Sequence, residues 1–224
     1  MRSLFTCLVF LIGASGAEAQ DSQKWIVRLG ATGTGTSDEG VVLFSEATGL
    51  GAQAFEFSNS WGVALNADRA LTRRLRLGVH AGYATTDFTL KVATPGGGSF
   101  ADTDQTTMAP LLLELKLSLL PDRRANPHIG FAGGMMFAKN VRLRSDASGP
   151  VTDFTFENPP IGGYVLGVDL MLDAAGSWLA FFQIKSLTLD YTVEPNSLVP
   201  GQTLLDQRLR DSLNHLVLGV GYAF

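Results

Sequence analysis

The fold turns on residues 215–224, "HLVLGVGYAF". Leu216, Leu218, Val220, Tyr222 and Phe224 share one parity, and Val217, Gly219, Gly221 and Ala223 share the other. Successive side chains of an extended chain leave on opposite faces, so alternation sustained this long marks a strand and not a helix. Two settings fit it. One is a soluble sandwich or barrel with its large residues inward. The other is a membrane barrel with large residues toward lipid and small ones toward a narrow lumen.

Seven more segments alternate in the same way, at 24–33, 59–67, 73–90, 106–120, 127–142, 161–172 and 177–191, and the last runs over 211–224. Most reach the roughly 9–11 residues that a tilted strand needs to cross a bilayer. The connections between them are sorted. "DRALT" (68–72), "DRRAN" (122–126) and "DAAG" (173–176) are short, whereas 34–58, 91–105, 143–160 and 192–210 are long and rich in Gly, Pro, Ser, Thr and Asp. Long and short connections in strict alternation are expected of an eight-stranded antiparallel transmembrane β-barrel, with short periplasmic turns and long extracellular loops. A soluble sandwich has no reason to sort its loops by parity.

One face of every segment is aliphatic or aromatic, such as Leu111, Leu113, Leu115, Leu117 and Leu119, or Tyr164, Leu166, Val168, Leu170 and Leu172. The other face repeats Gly, Ala and Ser with an occasional single charge. Glycine weakens a solvent-exposed strand, but an eight-stranded lumen barely admits side chains and wants small ones. A Lys or Arg on the lipid face costs about 2–4 kcal/mol at the midplane. Reversing the faces would put Arg28, Arg76, Glu114, Lys116, Asp169 and Lys185 into lipid, at a cost rivalling a domain's whole stability of roughly 5–15 kcal/mol. These six are expected to point inward, and Glu56 is a candidate seventh. Segment seven departs from the pattern, because Leu187 and Leu189 fall in line with Gln183 and Lys185. A bulge or a shift out of the membrane zone is the expected cause.

At the other end, "MRSLFTCLVFLIGASGAEAQ" has an early Arg2, a short apolar run and the small-x-small pattern Ala17-Glu18-Ala19. This is the pattern of a secretory signal peptide over 1–19, cleaved after Ala19, which leaves a barrel domain over 20–224. The one cysteine of the 224 residues, Cys7, lies within that leader. No disulfide or thiolate metal site is therefore expected in the exported domain. A net charge of −4 offers no basic patch for nucleic acid, and no cofactor is expected.

On these features the chain resembles the small eight-stranded bacterial outer-membrane proteins, the OmpW-like and OmpA-transmembrane-domain-like group. The terminal "GVGYAF" resembles the insertion signal of such barrels, with Gly219, Tyr222 and Phe224 in the matching places. "RRANPHIGFAGGMMF" (123–137) resembles their entry into the fifth strand, through Pro127 and Gly130. The resemblance implies an outer-membrane location and contact with membrane lipid and lipopolysaccharide. It also implies the barrel-assembly machinery and periplasmic chaperones as partners during biogenesis. OmpW-like relatives are implicated in the passage of small hydrophobic molecules, and OmpA-like ones in structural or adhesive roles. The expected function is a non-enzymatic barrel, structural or surface-exposed, with a narrow path for small apolar solutes. No ligand-contact motif carries over.

The inward charges suggest a lumen network, either a gate whose ion pairs part or a static plug. Buried charges must be paired to be tolerated, and the narrow bore favours the plug. His80, His128 and His215 share the inner face, but their positions along the strands suggest separate hydrogen-bonded residues and not a metal site. A lipid-A-modifying enzyme is the first rival, since acyl transfer needs a nucleophile beside a base. Ser212 and His215 differ in parity, however, and "FEFSNSWG" (55–62) has no neighbouring His. A soluble periplasmic lipid-binding β-barrel is the second rival. "GATGTG" (30–35) is expected to be a strand end and not a phosphate loop, and "DTD" (102–104) a solvated loop.

Overall fold

The computed structural model describes residues 25–36, 42–45, 50–93, 99–144, 151–156, 158–196 and 207–224. The expected signal peptide and residues 20–24 lie outside the described residues. Eight long strands form the wall: β1 (Trp25–Thr36), β4 (Ser60–Ala70), β5 (Leu75–Ala93), β6 (Ser99–Ser118), β7 (Ala125–Ala138), β10 (Pro160–Met171), β11 (Trp178–Asn196) and β12 (Gln207–Ala223). Each pairs antiparallel with the next. β10–β11 and β1–β12 complete the ring, so no edge is left along it. Closure satisfies the backbone groups that hydrocarbon cannot.

Three short connections, 71–74, 119–124 and 172–177, gather at one end, the turn end. In the last of these Gly176 has φ +69°, a left-handed conformation that a Cβ disfavours. There the Trp178 amide donates to Asp173 Oδ1 at 2.9 Å.

At the opposite end the strands run further than their alternation indicated. β5 and β6 pair out to Ala93 and Ser99, and β11 and β12 pair out to Val193 and Gln207. Within the expected loops over 91–105 and 192–210, residues 91–93, 99–105, 192–196 and 207–210 are strand, and "DTD" lies within β6. Two small hairpins complete the loop end. β2 (Val42–Ser45) and β3 (Leu50–Phe57) add to β5, and β8 (Val141–Arg144) and β9 (Val151–Phe156) add to β11. They extend the wall where the shorter strands β4, β7 and β10 have ended.

Burial follows parity around the ring. Leu113 is 57 % exposed while its neighbour Leu112 is 1 % exposed, and Trp61, Val63, Phe131, Tyr164, Leu166 and Leu218 all stand outward. An outer surface this apolar is stable only against lipid. At the turn end Trp178, Tyr222 and Phe224 stack in series, with ring centroids 5.1 and 6.1 Å apart. The Arg69 guanidinium sits 5.9 Å from the Trp25 ring beside them. This is the composition of an interfacial aromatic girdle.

β11 corrects one expectation. Its register against β10 and β12 is continuous through Leu187, with no bulge. Leu187 is simply inward and buried, because the lumen turns apolar at its level. The side chain of Leu189 lies outside the described residues.

Candidate functional site

The lumen is filled in two sections. Toward the loop end it is apolar: Phe88, Met108, Leu112, Met136, Ile161, Val165, Leu187 and Leu213 meet Val141 and Leu143 of the β8–β9 hairpin. Toward the turn end it is ionic. A second apolar cluster of Ile26, Ala64, Leu179, Phe181 and Val217 backs the ionic section on the β1–β11–β12 side.

The six charges read from parity all occupy the ionic section, each 6 % exposed or less. Arg28 donates to Asp169 through Nε at 3.2 Å and Nη2 at 2.8 Å, and Arg76 Nη1 donates to the same carboxylate at 2.6 Å. Lys116 Nζ is 2.6 Å from Glu114 Oε2, and Lys185 Nζ is 2.8 Å from Glu114 Oε1. The side chain of Glu56 lies outside the described residues.

A seventh member joins the two halves. Asp68 accepts from Arg28 Nη1 and, at 3.0 and 3.1 Å, from Lys116 Nζ. The composition of "DRALT" predicts a turn starting at Asp68, yet β4 continues to Ala70 and keeps Asp68 on the inner face with Asn66 and Ala64. Its parity with those two residues was the available signal. Gly78 makes its place, since a Cβ there would come within 1.9 Å of Asp68 Oδ1. Gly221 does the same for Arg28, whose Cγ would lie 2.8 Å from an added Cβ.

The histidines divide. His128 stands apart, with Nε2 3.2 Å from Gln183 Nε2 and Nδ1 3.9 Å from Asp169. His80 and His215 lie edge to face with centroids 5.2 Å apart, which the expectation of three separate histidines missed for this pair. Lys185 Nζ lies 2.7 Å from His80 Nδ1, and Thr32 and Thr34 hold the His215 ring. His80 Nδ1 also lies 2.8 Å from Asn66 Oδ1, which joins Asn66 to the same group. Among the described residues no three His, Cys, Asp or Glu groups converge as a metal site. Asn214 points outward while His215 points inward, and the side chain of Ser212 lies outside the described residues.

Chains of ion pairs link β1, β4, β5, β6, β10 and β11 across the bore. The wall is weaker at one place. The β5–β6 pairing runs from Leu75–Leu117 to Ala81–Leu111, then resumes only at Ala84–Met108. Pro110 lies in the gap and has no N–H to give. The residues bordering it, Met108, Leu112 and Met136, belong to the apolar section.

No protein-family model matches the chain, and no curated relative matches it either. Solved structures do. The outer membrane protein OprG from Pseudomonas aeruginosa superposes with a TM-score of 0.67 at 14 % identity, covering 92 % of this chain and 98 % of that one. AlkL, solved in lipid bilayers, gives 0.63 at 14 % identity over 91 % and 90 %. The Escherichia coli Outer Membrane Protein W gives 0.53 at 17 % identity over 92 % and 100 %. The fold is that of the small eight-stranded outer-membrane barrels, and the apolar outer wall fits a lipid bilayer.

Proposed function

We propose that this barrel is non-enzymatic and passes small apolar solutes through the outer membrane by way of its loop-end interior. The observation that carries this reading is the sectioned lumen. A packed apolar section faces the loop end, chains of ion pairs span the bore below it, and the interrupted β5–β6 seam borders the apolar section on the wall side. An apolar molecule entering from outside finds matching surface, whereas crossing the ionic section would strip seven charged groups of their partners. Exit through the seam leads into lipid, where such a solute is at home.

Expression in a Gram-negative strain lacking comparable barrels should raise the initial uptake of labelled octane or toluene several-fold, while the purified protein gives no discrete conductance steps in planar bilayers. Leu143→Asp, placing a charge in the apolar section, should abolish the gain with the barrel still folded by its heat-shifted gel migration. Uptake no faster than in the empty-vector strain, or steady ionic conductance, would overturn the proposal.

The chain's C-terminal strand carries the proposed assembly signal of Gly219, Tyr222 and Phe224. The Phe224 backbone exchanges two hydrogen bonds with Trp25, at 2.8 and 2.9 Å, on the closing seam. Deleting Phe224 removes that rung and the end of the aromatic stack. Membrane levels should fall at least several-fold while transcript is unchanged; normal levels would count against the signal.

A further inference from the structure

The turn end of the barrel opens into a cavity of about 680 Å³ that plays no part in the solute path proposed above. Arg73, Arg76, Arg123 and Arg124 line it, together with Asp122 and Asp173. Arg73 pairs with Asp122 at 2.6 Å, and Arg124 Nε donates to the Met171 carbonyl at 3.0 Å. Arg123 is exposed at the rim. Arg76 is the buried one, joined to Asp169 from the lumen side and to the Asn126 amide. It is the member of the lumen network that reaches this cavity.

An independent observation concerns charge. The buried ionised side chains among the described residues are Arg28, Arg76, Lys116 and Lys185 against Asp68, Glu114 and Asp169. That is four cations to three anions. A buried cation is costly unless an anion reaches it, and among the described residues Arg76 is the member of the network that meets an opening. The exposed arginines at the same mouth outnumber the acids there.

We infer that this cavity is a binding site for a phosphate-type oxyanion, held by Arg76, Arg123 and Arg124. Planar guanidinium forks suit oxyanions through paired hydrogen bonds, which a halide cannot accept in that geometry. The volume exceeds that of a bare phosphate, and Ile26, Pro121, Leu172 and Ala174 add apolar wall. The occupant is therefore the phosphate end of a larger organic molecule, either a soluble phosphorylated compound or a phospholipid headgroup. Because Arg76 also bonds Asp169, occupancy of the mouth is felt by the ion pairs that span the bore.

Calorimetric titration of the refolded full barrel with pyrophosphate, in zwitterionic detergent, tests this. Saturable binding is expected. Arg123→Ala with Arg124→Ala should weaken it about tenfold or more, the loss of two charge-assisted contacts. Arg69→Ala, on the outer wall beside Trp25, should leave it unchanged. Pyrophosphate should also protect Arg123 and Arg124, and not Arg69, from phenylglyoxal modification, a readout that needs no variant to fold. Repeating the titration in bilayer discs identifies the source. Weakening by phosphatidylglycerol marks a lipid headgroup, and indifference to it marks a soluble ligand. No saturable heat, or equal loss in Arg69→Ala, would mean that only diffuse surface charge attracts anions and would overturn the site.

Discussion

Replacement of Asp169 by alanine should destabilise the barrel by about 3–5 kcal/mol, the usual cost of leaving a buried ion without its partner. Asp169 takes two hydrogen bonds from Arg28 and one from Arg76. Its removal leaves two guanidinium groups facing an empty carboxylate site, and water has no easy access to a side chain that is fully buried. The double variant Asp169→Ala, Arg76→Met removes one charge of each sign. Arg28 still keeps Asp68 as a partner. The double variant should therefore lose distinctly less than Asp169→Ala alone, a coupling that reports on the ion pair and not on packing. Urea unfolding of the protein in lipid vesicles, followed by tryptophan fluorescence, gives both numbers. A single-variant loss under about 1 kcal/mol would mean that the network adjusts freely, and the static network would be wrong.

Leu113→Arg should cost about 2–4 kcal/mol, and Leu119→Arg on the same face about 0–1 kcal/mol, because the penalty of a lipid-facing cation falls from midplane to interface. Leu113 lies midway along the spanning part of β6, and Leu119 lies where β6 meets the turn. Both are exposed in the absence of lipid, so a protein stable in water would show two similar and small effects. The same vesicle titration reads the contrast. Equal losses would remove the membrane from the argument for the register.

Alternation carried most of the fold, because a closed wall with lipid on one side and a narrow bore on the other forces every spanning residue to declare a face. The strands end less legibly. Beyond the bilayer no such sorting acts, and the Thr- and Asp-bearing ends of β5, β6, β11 and β12 continue as backbone ladders. The hairpins β2–β3 and β8–β9 were invisible for the same reason. Of the ionic section, six members followed from the cost of charge in lipid. Asp68 escaped because "DRALT" has turn composition, and only the inward parity of Asn66 and Ala64 argues otherwise. The apolar section is not legible because the inner face repeats Gly, Ala and Ser over most of its length. Phe88, Met136 and Leu187 occupy it together with Val141 and Leu143 of the hairpin.

The ring is closed by partners at opposite ends of the chain: Thr32 on β1 meets His215 on β12, 183 residues away. Every other wall contact can form as neighbouring strands arrive, but this seam waits for the whole polypeptide. Until then the sheet has two long unpaired margins, each a template for another copy of itself. Contacts so distant in sequence form slowly. The open ribbon, more than the finished barrel, is the state most exposed to aggregation on the way to the membrane.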